Sequence, residues 1–320
     1  MARNPRKNVT GRYWIAAVAL ALLSPAARPQ RAPESENRDS LYTIRLDVER
    51  VVLRTTVEDR KGRPLAGLAQ DDFQVYEDDV RQEIKFFSSE DIPVTVGLVI
   101  DNSGSMGPKR REVIDAALAF ARASNPQDQI FVLNFNEHLW FGLPDGTPFT
   151  DQVPVLERAL TRTIADGRTA LYDAITLALD RLKMGARDKK VLIVISDGGD
   201  NASRRGRAEI MTLAQHSNAI IYTIGLFDDE DPDRNPRVLK QLSQVTGGEV
   251  FLPGSLTRLV PVCEQIAHDI RSQYTLAYQP ANRKQDGTYR RIEVKVKARG
   301  RGRLTARTRS GYYAPLPQID

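Results

Sequence analysis

The spacing of apolar positions divides the chain into three stretches. From 41 to 91 the period is two. Ile44, Leu46 and Val48 alternate with Arg45, Asp47 and Glu49, as in a half-buried strand. The phase shifts at Arg50, after which Val51, Leu53, Thr55 and Val57 share one face; a bulge or bend would produce such a shift. Lys61-Gly62-Arg63-Pro64 marks a turn. Phe73 and Val75 alternate again with polar neighbours, and Phe86-Phe87 closes the stretch.

From 92 to 273 the pattern becomes strand followed by helix. Residues 94–100 are apolar nearly throughout, the mark of a strand covered on both faces. Val113, Ala116, Ala117 and Phe120 give 112–123 a helical spacing, and 129–135 reads as a second strand. The helical period returns at 171–184 through Ile175, Ala178, Leu179 and Leu182, followed by the β-branched run 191–195. Helix 208–216, strand 219–225, helix 236–245, short strand 249–252 and helix 256–271 complete the stretch. Such alternation predicts an α/β fold with a Rossmann-like, mostly parallel sheet flanked by helices.

From 274 to 314 the period of two resumes. Ile292, Val294, Val296 and Ala298 alternate with Arg291, Glu293, Lys295 and Lys297, and Leu304, Ala306 and Thr308 alternate with Arg303, Thr305 and Arg307. Asp286-Gly287 predicts a hairpin joining 274–278 to 289–298. Neither flanking stretch (41–91 or 274–314) is long enough to bury much surface alone. The two are expected to pack together as one small β domain beside the α/β domain of 92–273.

Composition changes the picture at the N-terminus. With hydrophobic residues at 41% and charged residues at 27% of 320, a wholly disordered, collagen-like or coiled-coil chain is excluded. Residues 1–27 carry Arg3, Arg6, Lys7 and Arg12 and no acid, then an uncharged apolar run over 13–23, then Ser24-Pro25-Ala26-Ala27. That is the order of a secretory signal, cut after Ala26 or Ala27, and the run is too short to span a bilayer. An uncleaved N-terminal anchor is the alternative. Residues 28–40 read as a polar linker. The formal charge is +5 from 46 bases and 41 acids; without the four bases of the signal it is 42 against 41, or +1. A nearly neutral exported chain argues against a nucleic-acid partner. Eight acids between 71 and 91 face eleven bases between 283 and 309, opposite blocks that would attract if the flanks pack together.

Chemistry concentrates after the first α/β strand, in Asp101-Asn102-Ser103-Gly104-Ser105-Met106-Gly107. In an open α/β sheet, ligands bind outside the carboxyl ends of the strands. A loop there can turn Asp101, Ser103 and Ser105 toward one point, with Gly104 and Gly107 allowing a tight path. Gly167-Arg168-Thr169 precedes the helix at 171 and adds a hydroxyl. Ser196-Asp197-Gly198-Gly199-Asp200 follows the strand at 191 and adds a carboxylate. Hard oxygens converging on a point suit Mg²⁺.

Over 92–275 this set resembles the von Willebrand factor A domain and its metal-ion-dependent adhesion site. That site combines an Asp-x-Ser-x-Ser loop, a distant Thr and a distant Asp, here Asp101, Ser103 and Ser105, then Thr169, then Asp197. The flanks are similar to a bacterial exported subfamily, through Gly67-Leu68, Asp72-Phe73-Gln74-Val75-Tyr76-Glu77-Asp78 and the terminal Gly311-Tyr312. The resemblance implies Mg²⁺ or Mn²⁺ held by Ser103, Ser105 and Thr169, with Asp101 and Asp197 often acting through water. It implies an open position for the carboxylate of a Glu or Asp on a protein ligand, hence an adhesion-type binding module and not an enzyme. A structural or assembly protein of the cell envelope with a structural cation is the alternative, and a metal-assisted hydrolase comes third.

Other chemistry is sparse. Position 103 is Ser, so neither the Asp-x-Asp of an aspartyl phosphatase nor Gly-x-Ser-x-Gly is present. His138, His216 and His268 lack metal-spaced partners, and Cys263 falls within a helix as an inert thiol. Asp200 reads as a loop acid. Asp228, Asp229, Glu230, Asp231 and Asp233 form an acidic run that reads as a solvated loop, with a second cation site as its alternative.

Overall fold

The computed structural model describes residues 50–162, 164–227 and 234–317. The signal (1–27), the linker (28–40), the alternation at 44–48 and the acidic run at 228–233 lie outside the described residues. In chain order the elements are β1 (Val51–Glu58), β2 (Phe73–Glu77), β3 (Val80–Gln82), β4 (Ile84–Ser88), β5 (Val94–Asp101), α1 (Arg110–Ala123), β6 (Gln129–Phe135), β7 (Leu139–Phe141), α2 (Val153–Thr161), α3 (Leu171–Lys183), β8 (Lys189–Ser196), α4 (Arg207–His216), β9 (Ala219–Gly225), α5 (Pro236–Thr246), β10 (Val250–Phe251), α6 (Leu259–Arg271), β11 (Tyr274–Tyr278), β12 (Tyr289–Val296), β13 (Thr305–Arg307) and β14 (Gly311–Tyr313). All belong to one unit that begins at Val48.

The central sheet runs β10-β9-β8-β5-β6-β7. Its pairs are parallel except for β6 with β7. Every residue of β5 is buried, which is why its sequence is apolar without alternation. Helix α1 packs against α2 and α6, while α3, α4 and α5 pack in series, so the sheet is sheltered on both faces. Two elements of the α/β stretch escaped the sequence reading. Strand β7 is three half-buried residues, Leu139, Trp140 and Phe141, too short for a period to show. Helix α2 carries Pro154 in its first turn, a place where proline fits, and its apolar Leu156, Ala159 and Leu160 are buried.

The flanking segments form two four-stranded antiparallel sheets, β13-β1-β11-β4 and β14-β12-β2-β3. Each mixes strands from both ends of the chain. Leu53, Val75, Leu276 and Val294 meet in the core between them, with Phe73, Phe87 and Tyr274 as a ring cluster at centroid distances of 5.0–5.8 Å. The small β domain made from both flanks, expected from the sequence, is therefore present.

The expected hairpin is not. Asp286 does make a turn, accepting the Thr288 amide at 3.0 Å, and Gly287 has φ +68°. Yet β11 pairs with β1 and β4, whereas β12 pairs with β2 and β14. The turn residues fix a reversal of the chain, not the strand's partner. Here the two apolar faces meet across the sandwich instead of lying side by side.

The charge blocks meet at two ion pairs, Arg291 with Asp79 at 2.5 Å and Arg290 with Glu77 at 3.5 Å. The second pair is buried, both side chains being 2% exposed. Glu77 also accepts the hydroxyls of Tyr278 and Tyr312 at 2.7 and 3.0 Å. Satisfied in this way, the carboxylate tolerates the interior.

Arg307 links the sandwich to the α/β part of the chain. Its Nη2 reaches Glu58 of β1 at 2.6 Å, Glu249 at 2.9 Å and Asp269 of α6 at 3.2 Å. Beside it, Gln273 donates to Thr56 Oγ1 and to the Tyr222 hydroxyl at 3.1 and 3.2 Å.

Candidate metal centre

Strands β5 and β8 are parallel and in register, with Ile100 opposite Ile195. Asp101 and Ser196 thus leave the sheet at the same edge, and the loops that follow are neighbours. Asp101 Oδ2 accepts the Ser196 hydroxyl at 2.6 Å, and Oδ1 accepts the Ser103 amide at 2.9 Å. The Ser103 and Ser105 hydroxyls are 3.3 Å apart, and Ser105 donates to Asp197 Oδ2 at 2.6 Å. Four of the five expected residues are thereby linked through side chains.

Thr169 enters through the backbone. The Gly104 amide donates to the Gly167 carbonyl at 3.1 Å. Asn201 Oδ1 accepts the Thr169 amide at 2.9 Å, and the Asn201 and Ala202 amides both donate to the Thr169 carbonyl at 3.0 Å. Among the described residues no hydrogen bond joins the Thr169 hydroxyl to the other four side chains.

The tight path is supplied by different glycines from those expected. Gly104 and Gly107 have ordinary backbone angles, and a Cβ at either would meet nothing closer than 3.6 Å. Gly167 and Gly198 carry the strain, at φ +81° and +78°. A Cβ at Gly167 would strike the Glu137 carboxylate, and one at Gly198 would lie 2.6 Å from the Asn235 carbonyl oxygen. The apparent looseness of a Gly-containing loop says little about which glycine bears a left-handed turn.

Asp101 and Asp197 are each 2% exposed. Burial, and secondly the Asp197 charge, push the Asp101 carboxyl up to about 6, against the hydrogen bonds from Ser103 and Ser196. Neither acid has an ion-pair partner among the described residues. The donors are all oxygen, two carboxylates and hydroxyls, with no nitrogen or sulfur. That set fits a hard divalent cation such as Mg²⁺ or Mn²⁺. Both oxygens of Asp101 already serve Ser103 and Ser196, so its part is to shape the loop and lend charge.

The sequence reading gave Ser196 and Asn201 no role, although Ser196 stood next to Asp197. Their signal was position: a hydroxyl ending a strand beside another strand's terminal Asp, and an Asn that reaches back to a neighbouring loop. Asp200, read as a loop acid, accepts the Tyr172 amide at 2.8 Å and the Ser203 hydroxyl at 2.7 Å. It thereby satisfies the first turn of α3 from another segment. Glu137 accepts the Arg168 amide at 2.5 Å.

Elsewhere among the described residues, one trio of acids lies close enough for a cation: Glu58, Glu249 and Asp269, with oxygens within 4.8 Å of one another. The Arg307 guanidinium already stands among them. Cys263 is buried, and burial pushes its thiol up to about 12.

The model of the von Willebrand factor type A domain matches residues 96–199. Among solved structures, a von Willebrand factor type A protein from Catenulispora acidiphila is 14% identical, with 84% of this chain and 74% of that one covered and a TM-score of 0.49. The vWF domain of the type V pili tip protein Mfa5 from Porphyromonas gingivalis is 15% identical, covering 56% and 95%, at 0.45. The conserved hypothetical protein BatB from Bacteroides thetaiotaomicron is 16% identical, covering 56% and 100%, also at 0.45. No curated protein matches the chain significantly. With a domain model matched over 96–199 and a mostly parallel sheet flanked by helices, this part of the chain is similar to a von Willebrand factor type A domain.

Proposed function

We propose that the protein is an exported binding module that takes Mg²⁺ or Mn²⁺ at Asp101, Ser103, Ser105, Thr169 and Asp197 and engages an acidic side chain of a protein partner there. The observation that supports this most is the run of hydrogen bonds from Asp197 through Ser105 and Ser103 to Asp101. It gathers hard oxygens at the carboxyl edge of the sheet, with no basic side chain among the described residues paired to the acids. When bound, the cation supplies an electrophilic position for a carboxylate oxygen of the partner. Ser103, Ser105 and Thr169 offer neutral hydroxyls, so the site's own charge quenches little of that electrophilicity. Asp101 fixes the path of the loop through the Ser103 amide.

The alternative, a cation that only fixes the loops, has less support, because Gly104–Gly167 and Thr169–Asn201–Ala202 already tie the three loops by backbone hydrogen bonds. Export rests on the basic, apolar, small-residue order of 1–27. No helix among the described residues is long and apolar enough to cross a membrane. The test is a partner pull-down in Mg²⁺ and in EDTA, with wild type and Asp101→Ala. Capture should be lost on chelation and in the variant; a partner retained in EDTA would point to the scaffold reading instead.

A further inference from the structure

The opposite edge of the central sheet carries a second concavity. Asp188 and Asn218 immediately precede β8 and β9, so the surface they build lies at the amino ends of the strands, away from the 101, 169 and 197 loops. Here the end of α4, the start of β9, β1 and β14 enclose a cavity of about 420 Å³. Three guanidinia line it, those of Arg50, Arg54 and Arg309, against a single acid, Asp188.

The partners of these arginines are neutral. Arg309 donates to the Gly311 carbonyl at 2.9 Å, to Asn218 Oδ1 at 3.1 Å and to the Gln215 carbonyl at 2.9 Å. Arg54 donates to the Thr275 hydroxyl. None of the three forms an ion pair among the described residues. Positive charge is thus held in place largely by dipoles, with Asp188 as the one acid of the lining acting on Arg54, and its effect reaches inward: burial, and secondly Arg54, hold the Lys189 ammonium down to about 7. One wall is aromatic, with the His216 and Tyr313 rings stacked at 4.3 Å and 3°.

We propose that this cleft binds a small ligand with a dianionic oxyanion head, phosphoryl or dicarboxylate. Guanidinium forks match such heads in geometry as well as charge. With three positive charges against one negative, a dianion would neutralise the cleft. The site is independent of the cation centre.

The test is isothermal titration of the full chain with sodium pyrophosphate and, separately, sodium malonate, in EDTA at fixed ionic strength. Arg50 is exposed and makes no hydrogen bond among the described residues, so Arg50→Gln should fold normally and weaken binding by roughly three- to tenfold. Asp188→Asn removes the competing acid and should tighten binding, a gain that misfolding could not mimic. Arg309→Gln should lose it. Asp101→Ala should leave it unchanged. Heat from pyrophosphate alone identifies a phosphoryl ligand and heat from malonate a dicarboxylate. No heat from either, or affinities indifferent to Arg50→Gln and Asp188→Asn, overturns the proposal.

Discussion

Two groups of acids, one where the sandwich joins the α/β layers and one at the carboxyl edge of the central sheet, solve the same problem differently. Glu58, Glu249 and Asp269 bring three carboxylates within 4.8 Å, and the chain supplies the cation itself in Arg307. Asp101 and Asp197 lie at the carboxyl edge among hydroxyls, and no side-chain cation among the described residues pairs with either. The first arrangement is closed: its positive group is covalently present, holds β13 to β1 and α6, and can leave only if the joint opens. The second lacks a paired side-chain cation among the described residues, which is the condition the proposed exchange of a small cation requires. Burial of carboxylates therefore does not by itself mark a metal centre; what distinguishes the two clusters is whether the sequence provides a counter-ion.

The largest effect expected from this comparison comes from removing the side-chain cation. Arg307→Met leaves three clustered carboxylates unpaired, and urea denaturation at pH 7 should show a loss of about 3–5 kcal/mol. The deficit should shrink at pH 5 as the acids protonate. A variant as stable as wild type would mean that the guanidinium is not the counter-ion of this cluster. At the cation centre the sign is reversed. Mg²⁺ at about a hundred times its Kd should add about 2.7 kcal/mol, seen as a melting temperature higher by roughly 5 °C or more. Asp101→Ala should abolish that increment while relieving the repulsion with Asp197 in the metal-free protein.

A smaller contrast separates the glycines. Gly167→Ala should cost about 1–3 kcal/mol, because its left-handed backbone and the Glu137 carboxylate both oppose a Cβ, and should weaken the Mg²⁺ increment. Gly104→Ala should change stability by less than about 1 kcal/mol. Equal costs for the two would contradict the assignment of strain.

The smallest effect is in pH dependence. Burial pushes Glu249 up to about 7 and Asp269 up to about 6, against the attraction of Arg307. The folded protein then keeps protons that the unfolded chain has released between about pH 4 and 7, so this cluster's contribution to stability falls as pH rises through that window. Glu249→Gln should flatten the decline by on the order of 1 kcal/mol, a figure already reduced for the partial exposure of the group. The observable is the difference in urea midpoint between pH 5 and pH 7.

How much of this was legible in the sequence differs by level. The strand–helix alternation was readable because β5 and β8 are covered on both faces, leaving runs of apolar residues that no turn could imitate. The meeting of the loops that carry the five proposed donors was readable because each follows a strand or precedes a helix at the same edge. What resisted reading depended on contacts far apart in the chain. Arg307 has the local pattern of an exposed base, and only its partners, the acids of β1, α6 and the segment before β10, draw it inward; Arg290 shares the face of Ile292 and Val294, but nothing local names Glu77 as its partner. Asp286-Gly287 reported its own turn faithfully but could not report that β11 and β12 would pair elsewhere. The glycines of the 101–107 loop drew attention through proximity to the donors, whereas the strained ones stand in the two loops that pack against it.

The most direct test of the central claim is anomalous diffraction from crystals of the protein soaked in Mn²⁺. The account predicts a peak bounded by Ser103, Ser105, Thr169 and Asp197, and none among Glu58, Glu249 and Asp269, where Arg307 already stands. A peak only at the second cluster, or none at the first under saturating Mn²⁺, would contradict it.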